Sequence, residues 1–319
     1  MKEHVPVMVN EVLEALRPWE EVRTAVDATL GLGGHTGSIL NKCVGAYVIG
    51  FDQDPFARKI AQENLLQYSG RFEIEADNFR HIEKLKDRPE WTGASAVLFD
   101  LGVSNMQITE SERGFSFQED GPLDMRMDAA EETSSGLTAK EILHTWSIKE
   151  LTEVFRKYGE EQYAYQIARG IVRNREAGGN IATTGDLVEL IRKILPAPVQ
   201  RKMGGHPARK VFQALRIAVN DEMDALEEAL DGSLKILCPG GKIIAISYHS
   251  LEDRIVKTRF RKWQEEGLGE ARPRKAITPS EAEIENNYKS RSAKLRIFES
   301  EREILRKGDK ADAIHRMPT

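Results

Sequence analysis

The sequence predicts a doubly wound α/β fold with a mostly parallel sheet, interrupted by an inserted all-helical domain. Three observations carry this. Apolar, β-branched runs alternate with helical patterns over the first hundred residues; helical patterns alone fill residues 109–205; and a strand pattern returns at "KIIAISYHS" (residues 242–250).

A short amphipathic helix over residues 7–16 comes first. The strands follow as "VRTAVDATL" (22–30), "AYVIGFD" (46–52), "RFEIEAD" (71–77) and "ASAVLFDLG" (94–102). The clearest helix between them is "PFARKIAQENLLQYS" (55–69), where Pro55 fits the first turn because its missing N–H has no intrahelical partner to lose. Within the insertion, "LTAKEILHTWS", "IKELTEVFRKYG", "EQYAYQIARGIVRN" and "TTGDLVELIRKIL" read as helices, with Thr138/Glu141 and Thr183/Asp186 as caps. The expected division is a core of residues 1–108 and 206–319 around a helical substrate-recognition domain of residues 109–205. A long helical stretch over 208–237, with room for one interruption, leads back to the sheet, "AKLRIFES" offers a last strand, and "GLGEARPRKAITP" (267–279) reads as the most mobile loop.

The chain of 319 residues holds two cysteines, Cys43 and Cys238, far apart and outside any C-x-x-C. That argues against a disulfide framework or a zinc knuckle, and both thiols read as packing residues. No metal site is expected. The N-terminus has no apolar signal core and no run approaches the roughly 18 apolar residues of a membrane span, so a cytoplasmic protein is expected. The net charge of −5 argues against nonspecific coating of nucleic acid, but its distribution is uneven. Residues 201–216 carry five Lys/Arg and no Asp/Glu, residues 254–275 eight against three, and residues 289–296 four against none. Such patches suit capture of a phosphate backbone, or are solvated helix faces.

"DATLGLGGHTGSIL" (27–40) places Gly31, Gly33, Gly34 and His35 between a strand and a helix. Glycines let a ligand approach the backbone, and the helix start offers N–H groups to a phosphate or carboxylate. The spacing is neither G-x-G-x-x-G nor a P-loop. Asp52, at the end of the next strand, is placed to accept ribose hydroxyls of either NAD or S-adenosylmethionine. "EADNF" puts Asp77 to Phe79 where an adenine would be hydrogen-bonded and covered by a ring. Together an amino-acid tail on the loop, a ribose on Asp52 and an adenine near Phe79 describe S-adenosylmethionine. At the end of the fourth strand Asp100 is the candidate catalytic residue: a carboxylate there holds the N–H bonds of an aromatic amine whose lone pair is delocalised. In "YHSLEDR" (248–254), Ser250 and Asp253 resemble a helix cap, Tyr248 is a candidate for stacking on a base, Arg254 for meeting a phosphate, and His249 lies at the same edge.

These residues, with "HVPVMVNEV", "GFDQDP", "DLGVSNMQ", "RGFSFQEDGPLDMRMD", "YGEEQYAYQIARGIV", "HPARKVFQALRIAVN", "LCPGGKIIAISYHSLEDRIVK" and "RSAKLRI", resemble the bacterial small-subunit rRNA cytosine-N4 methyltransferases (RsmH, also called MraW) in order over nearly the whole chain. The resemblance implies a class I, Rossmann-like methyltransferase core, S-adenosylmethionine as donor, and transfer to the N4 amine of the P-site cytidine of 16S rRNA. It implies cofactor binding by Gly33, Gly34, His35, Asp52, Phe79, Asp100 and Gln107, no metal, and compatibility with a homodimer. It also implies that residues 113–128 lie at the mouth of the site. The family usually has Ser-Ser at Ser104-Asn105 and Phe at Tyr248, changes that bear on substrate positioning. Competing readings are a DNA amino-methyltransferase, which lacks its usual P-P-[FYW] loop at "DLGVS", a nucleotide-dependent oxidoreductase, disfavoured by the glycine spacing, and an RNA-binding assembly factor that holds cofactor without turnover.

Overall fold

The computed structural model describes residues 5–103, 110–128 and 136–301. They form two compact units: one from Met1–Asp52, Arg58–Gly102 and Ala225–Thr319, the other from Gln53–Ala57 and Val103–Asp224.

The first unit is built on a seven-stranded sheet of order β3-β2-β1-β4-β5-β7-β6. Its strands are β1 (Thr24–Asp27), β2 (Tyr47–Phe51), β3 (Phe72–Glu75), β4 (Ala94–Asp100), β5 (Leu237–Ser247), β6 (Gly269–Ala271) and β7 (Lys294–Ser300). The first five pair in parallel, and β7 runs antiparallel to both β5 and β6. Alternate residues of the central strands feed two cores. Ala25, Ala96, Leu98, Ile244 and Ile246 join the one that includes Ile39 and Leu40, whereas Val26, Val97, Phe99, Ile243 and Ala245 join the one that includes Leu230 and Phe260. Burial on both faces explains why the strands read as continuous apolar runs. The chain turns to opposite sides of the sheet at β1, between β2 and β4, so the carboxyl ends of β1 and β4 flank the crevice where ligands bind in such sheets.

Helices α1 (Val9–Ala15), α2 (Gly34–Lys42) and α3 (Pro55–Asn64) fall where the patterns put them. The stretch expected to be a mobile loop contributes the edge strand β6, which forms only by pairing with β7.

The second unit contains α4 (Ala139–Thr145), α5 (Ile148–Lys157), α6 (Ala164–Glu176), α7 (Thr184–Ile194), α8 (Ala197–Lys202) and α9 (Arg209–Asn220). Capping boxes start α4 at Thr138/Glu141, α5 at Ser147/Glu150 and α7 at Thr183/Asp186. Leu151, Phe155, Ile167, Ile171, Leu187, Ile191, Val211 and Leu215 fill its core. Since α9 supplies Val211 and Leu215, this unit extends past the expected limit at residue 205. The long helical stretch breaks at Asp221, which adopts a left-handed conformation (φ 50°) between α9 and α10 (Glu222–Ile236). The segment 113–128 is strapped to this unit: Asn220 Oδ1 accepts from Met127 N at 2.8 Å, its Nδ2 donates to Met125 O at 2.8 Å, and Arg113 pairs with the buried Asp54 at 2.9 Å. Among the described residues no helix is long and apolar enough to cross a membrane.

Candidate cofactor and active site

The glycine loop leaves β1 at Asp27, whose buried carboxylate accepts from Thr36 Oγ1 at 2.7 Å and from Thr29 N at 3.3 Å, tying the first turn of α2 back to the strand. Burial pushes the Asp27 pKa up, against the lowering pull of His35 and these hydrogen bonds. Gly33 caps α2 in a left-handed conformation (φ 81°) that favours glycine. At Gly34 the constraint is space: a Cβ would lie 2.5 Å from Pro6 Cγ, so the Pro6 ring lies directly against the loop. Asp52, the residue after β2, braces the loop from the other side, its Oδ2 accepting from Gly31 N at 2.9 Å.

His35 follows in the first turn of α2 and is 6 % exposed, yet neither ring nitrogen makes a hydrogen bond with a described residue. Its Nε2 lies 3.4 Å from Asp100 Oδ2, a charge contact longer than a good hydrogen bond. Burial favours the neutral imidazole, but the neighbouring Asp100, together with Asp27 and Glu283, outweighs it and raises the His35 pKa. Asp100 ends β4. Its N–H donates to Thr29 Oγ1 at 2.6 Å, and its Oδ1 accepts from the Tyr248 hydroxyl at 2.6 Å. Residues that follow β1 and β5 thus converge on the one aspartate that ends β4.

Phe79 opens a 3₁₀ helix (Phe79–Asp87) and sets its ring edge-on to Phe99, with centroids 6.0 Å apart. Asn78 caps that helix through Arg80 N. The Asp77 carboxylate, expected to face an adenine, already accepts from Asn78 N at 2.8 Å and contacts His81 and Lys84. Burial opposes ionisation there, but these partners prevail and hold its pKa below the usual range.

After β5 the structure corrects the local reading. The cap of α11 (Ser250–Glu265) is His249, not Ser250: His249 Nδ1 accepts from Glu252 N at 3.4 Å, while the buried Glu252 accepts from Tyr248 N and His249 N through Oε2. Asp253 instead pairs with Arg296 at 2.7 Å and Lys294 at 3.2 Å. The His249 side chain is therefore occupied in structure, Tyr248 reaches Asp100 through its hydroxyl, and Arg254 lies on the exposed side of α11. Gln107, like Ser104 and Asn105, falls outside the described residues. Sequence reasoning missed Pro6, Thr29 and the Tyr248 hydroxyl.

Strand order 3-2-1-4-5-7-6, a glycine loop after β1, carboxylates just past β2 and at the end of β4, and a buried imidazole facing the latter define a Rossmann-like S-adenosylmethionine-dependent methyltransferase. The donor set fits that cofactor: N–H groups at the start of α2 and His35 suit its carboxylate, and Asp52 suits its ribose. Residues 1–301 match the model of the MraW methylase family, and the chain belongs to that family of rRNA methyltransferases. S-adenosylmethionine is its methyl donor. Among solved structures it is similar to a putative rRNA methylase from Clostridium thermocellum (13 % identity, 93 % of this chain and 100 % of that one, TM-score 0.41). It is likewise similar to an rRNA methylase from Streptococcus thermophilus (11 %, 94 % and 99 %, TM-score 0.44) and to a putative methyltransferase from Streptococcus mutans in complex with SAH (13 %, 93 % and 99 %, TM-score 0.42).

Proposed function

We propose that this enzyme methylates the N4 exocyclic amine of the P-site cytidine of 16S rRNA, on the small ribosomal subunit in the cytoplasm. The observation that carries the reading is the Asp100 carboxylate at the end of β4, held at Oδ1 by Tyr248 and flanked at Oδ2 by His35.

Gly33, Gly34 and His35 would hold the amino-acid tail of S-adenosylmethionine, Asp52 its ribose and Phe79 its adenine. Bound there, the cofactor supplies a methyl group made electrophilic by its sulfonium. The cytosine amine is a poor nucleophile because its lone pair is delocalised into the ring. Asp100 accepts an amine N–H, which turns that lone pair out of conjugation, and then takes the proton the amine releases. Tyr248 keeps the carboxylate from rotating away, so the contribution of the protein is chiefly one of position. The target cytosine leaves its stack to reach this carboxylate.

The test is incubation with methyl-labelled S-adenosylmethionine and small subunits from cells that lack the modification, followed by nucleoside analysis. Label in N4-methylcytidine, lost in Asp100→Ala while cofactor binding persists, supports the reading. Cofactor binding without label in subunits or naked rRNA overturns it in favour of a non-catalytic RNA-binding factor or a DNA substrate.

A further inference from the structure

We infer that the helical unit carries an RNA-backbone docking surface formed by Arg201 and Lys202 at the end of α8 and Arg209 at the start of α9, beside the stacked rings of Phe117 and His206. The inference rests on the reading that the substrate is RNA, and assigns where on this unit the strand is held.

The charge comes first. Residues 192–216 contain seven Lys/Arg and no Asp/Glu, in a chain whose net charge is −5. Four of the seven have structural work: Lys193 pairs with Glu189, Arg192 reaches His206 Nε2 at 3.1 Å, Lys210 Nζ donates to Glu160 O, and Arg216 makes a two-pronged pair with Glu222. Arg201, Lys202 and Arg209 are exposed and make no ion pair with a described residue. Several exposed basic side chains elsewhere are matched by a carboxylate, as Arg17 is with Glu14, Lys86 with Glu83, Arg261 with Glu265 and Arg272 with Glu270; within residues 192–216 the sequence offers none. Arg209 also stands in the first turn of α9, a helix with no acidic residue in that turn and no side-chain cap. A cation there opposes the helix dipole, and an incoming anion relieves it.

The rings make RNA a better match than an acidic protein. Phe117 and His206 stack nearly parallel, centroids 4.7 Å apart at 12°, and Phe212 meets Phe117 edge-on at 5.8 Å. Both stacked rings are half-buried. Burial and the Arg192 charge hold the His206 pKa below its ordinary value, so the ring is neutral and works as an aromatic surface. Cations and planar rings on one segment are what a single strand requires: charge for its backbone and a π-face for a base.

The experiment measures binding of the full chain to a 16S rRNA fragment and to small subunits across a salt series, with the variant Arg201→Gln/Lys202→Gln/Arg209→Gln and, separately, Arg201→Glu/Arg209→Glu. Cofactor affinity and thermal melting serve as controls for folding. The Gln variant is expected to bind RNA at least about tenfold more weakly and to lose about 2–3 from the slope of log K against log salt, with cofactor affinity retained. Wild-type affinity and slope in both folded variants would overturn the surface while leaving the RNA reading intact. If the wild type itself fails to bind the RNA or the subunit, the substrate reading falls and the surface with it. Loss of binding to an acidic protein with RNA binding intact would reassign the patch to a protein partner.

Discussion

The Tyr248 hydroxyl donates to Asp100 Oδ1 at 2.6 Å, joining side chains 148 positions apart at the carboxyl ends of β5 and β4. Burial, and then the adjacent Asp100 charge, push the Tyr248 pKa far above its ordinary value. Both effects favour the protonated phenol, the form that donates to Asp100.

Tyr248→Phe separates the hydroxyl from the ring. A hydrogen bond to a charged group is worth about 1.5–3 kcal/mol when lost outright. Asp100 keeps its backbone tether to Thr29 and its neighbour His35, so turnover should fall by less than that limit, about three- to tenfold, where tenfold corresponds to about 1.4 kcal/mol. Cofactor affinity should be retained. Turnover equal to wild type would show that the ring, not the donor, is what the site uses.

His35 and Asp27 give a pH dependence whose sign is determined by their environment. Both have pKa values raised in the folded state, Asp27 by burial, and His35 by Asp100 and its companions prevailing over burial. A group with a raised folded pKa stabilises the fold below its unfolded value and loses that contribution as pH rises through the folded one. For His35 the loss begins above about 6.5. Urea midpoints should therefore decline as pH rises above about 6.5, and His35→Gln should flatten the decline. An unchanged slope in that variant would remove His35 as its source.

What the sequence made legible was short-range. Thr138/Glu141 and Thr183/Asp186 cap their helices as expected because a capping box closes within three residues. The same geometry at His249/Glu252 was misplaced onto Ser250, since imidazole is an uncommon cap and Ser a common one. Buried strands stood out as apolar runs, but β6 did not: "GEA" is a strand only because β7 lies beside it. A break in the helical stretch over 208–237 was legible, but its position was not, because the residue that makes it, Asp221, adopts a left-handed φ without being glycine. At the site, Asp100 and the glycine loop were readable from strand ends. The contacts of Asp100 with Thr29, His35 and Tyr248 were not, because the sheet order alone brings those strand ends together.

Arg113 and Asp54 form an ion pair whose side chains are 9 % and 1 % exposed, and the same guanidinium donates to Arg126 O at 3.2 Å and Met127 O at 3.0 Å. Removing one partner strands a buried charge, so Arg113→Ala should cost about 3–5 kcal/mol. Arg113→Met/Asp54→Leu should recover part of it, because no charge is then left unpaired. Chemical denaturation of the single and double variants measures both. A single variant within about 1 kcal/mol of wild type would mean that the pair contributes no more than an exposed one.

Gly34 lets the loop and the N-terminal segment share one space. A Cβ would come within 2.5 Å of Pro6 Cγ, in a rigid ring, and the segment that carries Pro6 has little room to yield. Two residues on, Met8 adopts a left-handed φ of 55° and donates its N–H to Glu283 Oε1 at 2.6 Å. Gly34→Ala should therefore either displace that segment or distort the first turn of α2, costing about 1–3 kcal/mol as overpacking does. If the collision with Pro6 is the cause, Pro6→Ala in the same chain should restore stability and, with it, cofactor affinity; the double-mutant cycle isolates that coupling. If affinity stays low after stability returns, the methyl group obstructs the cofactor itself, and the space above Gly34 belongs to the ligand rather than to Pro6.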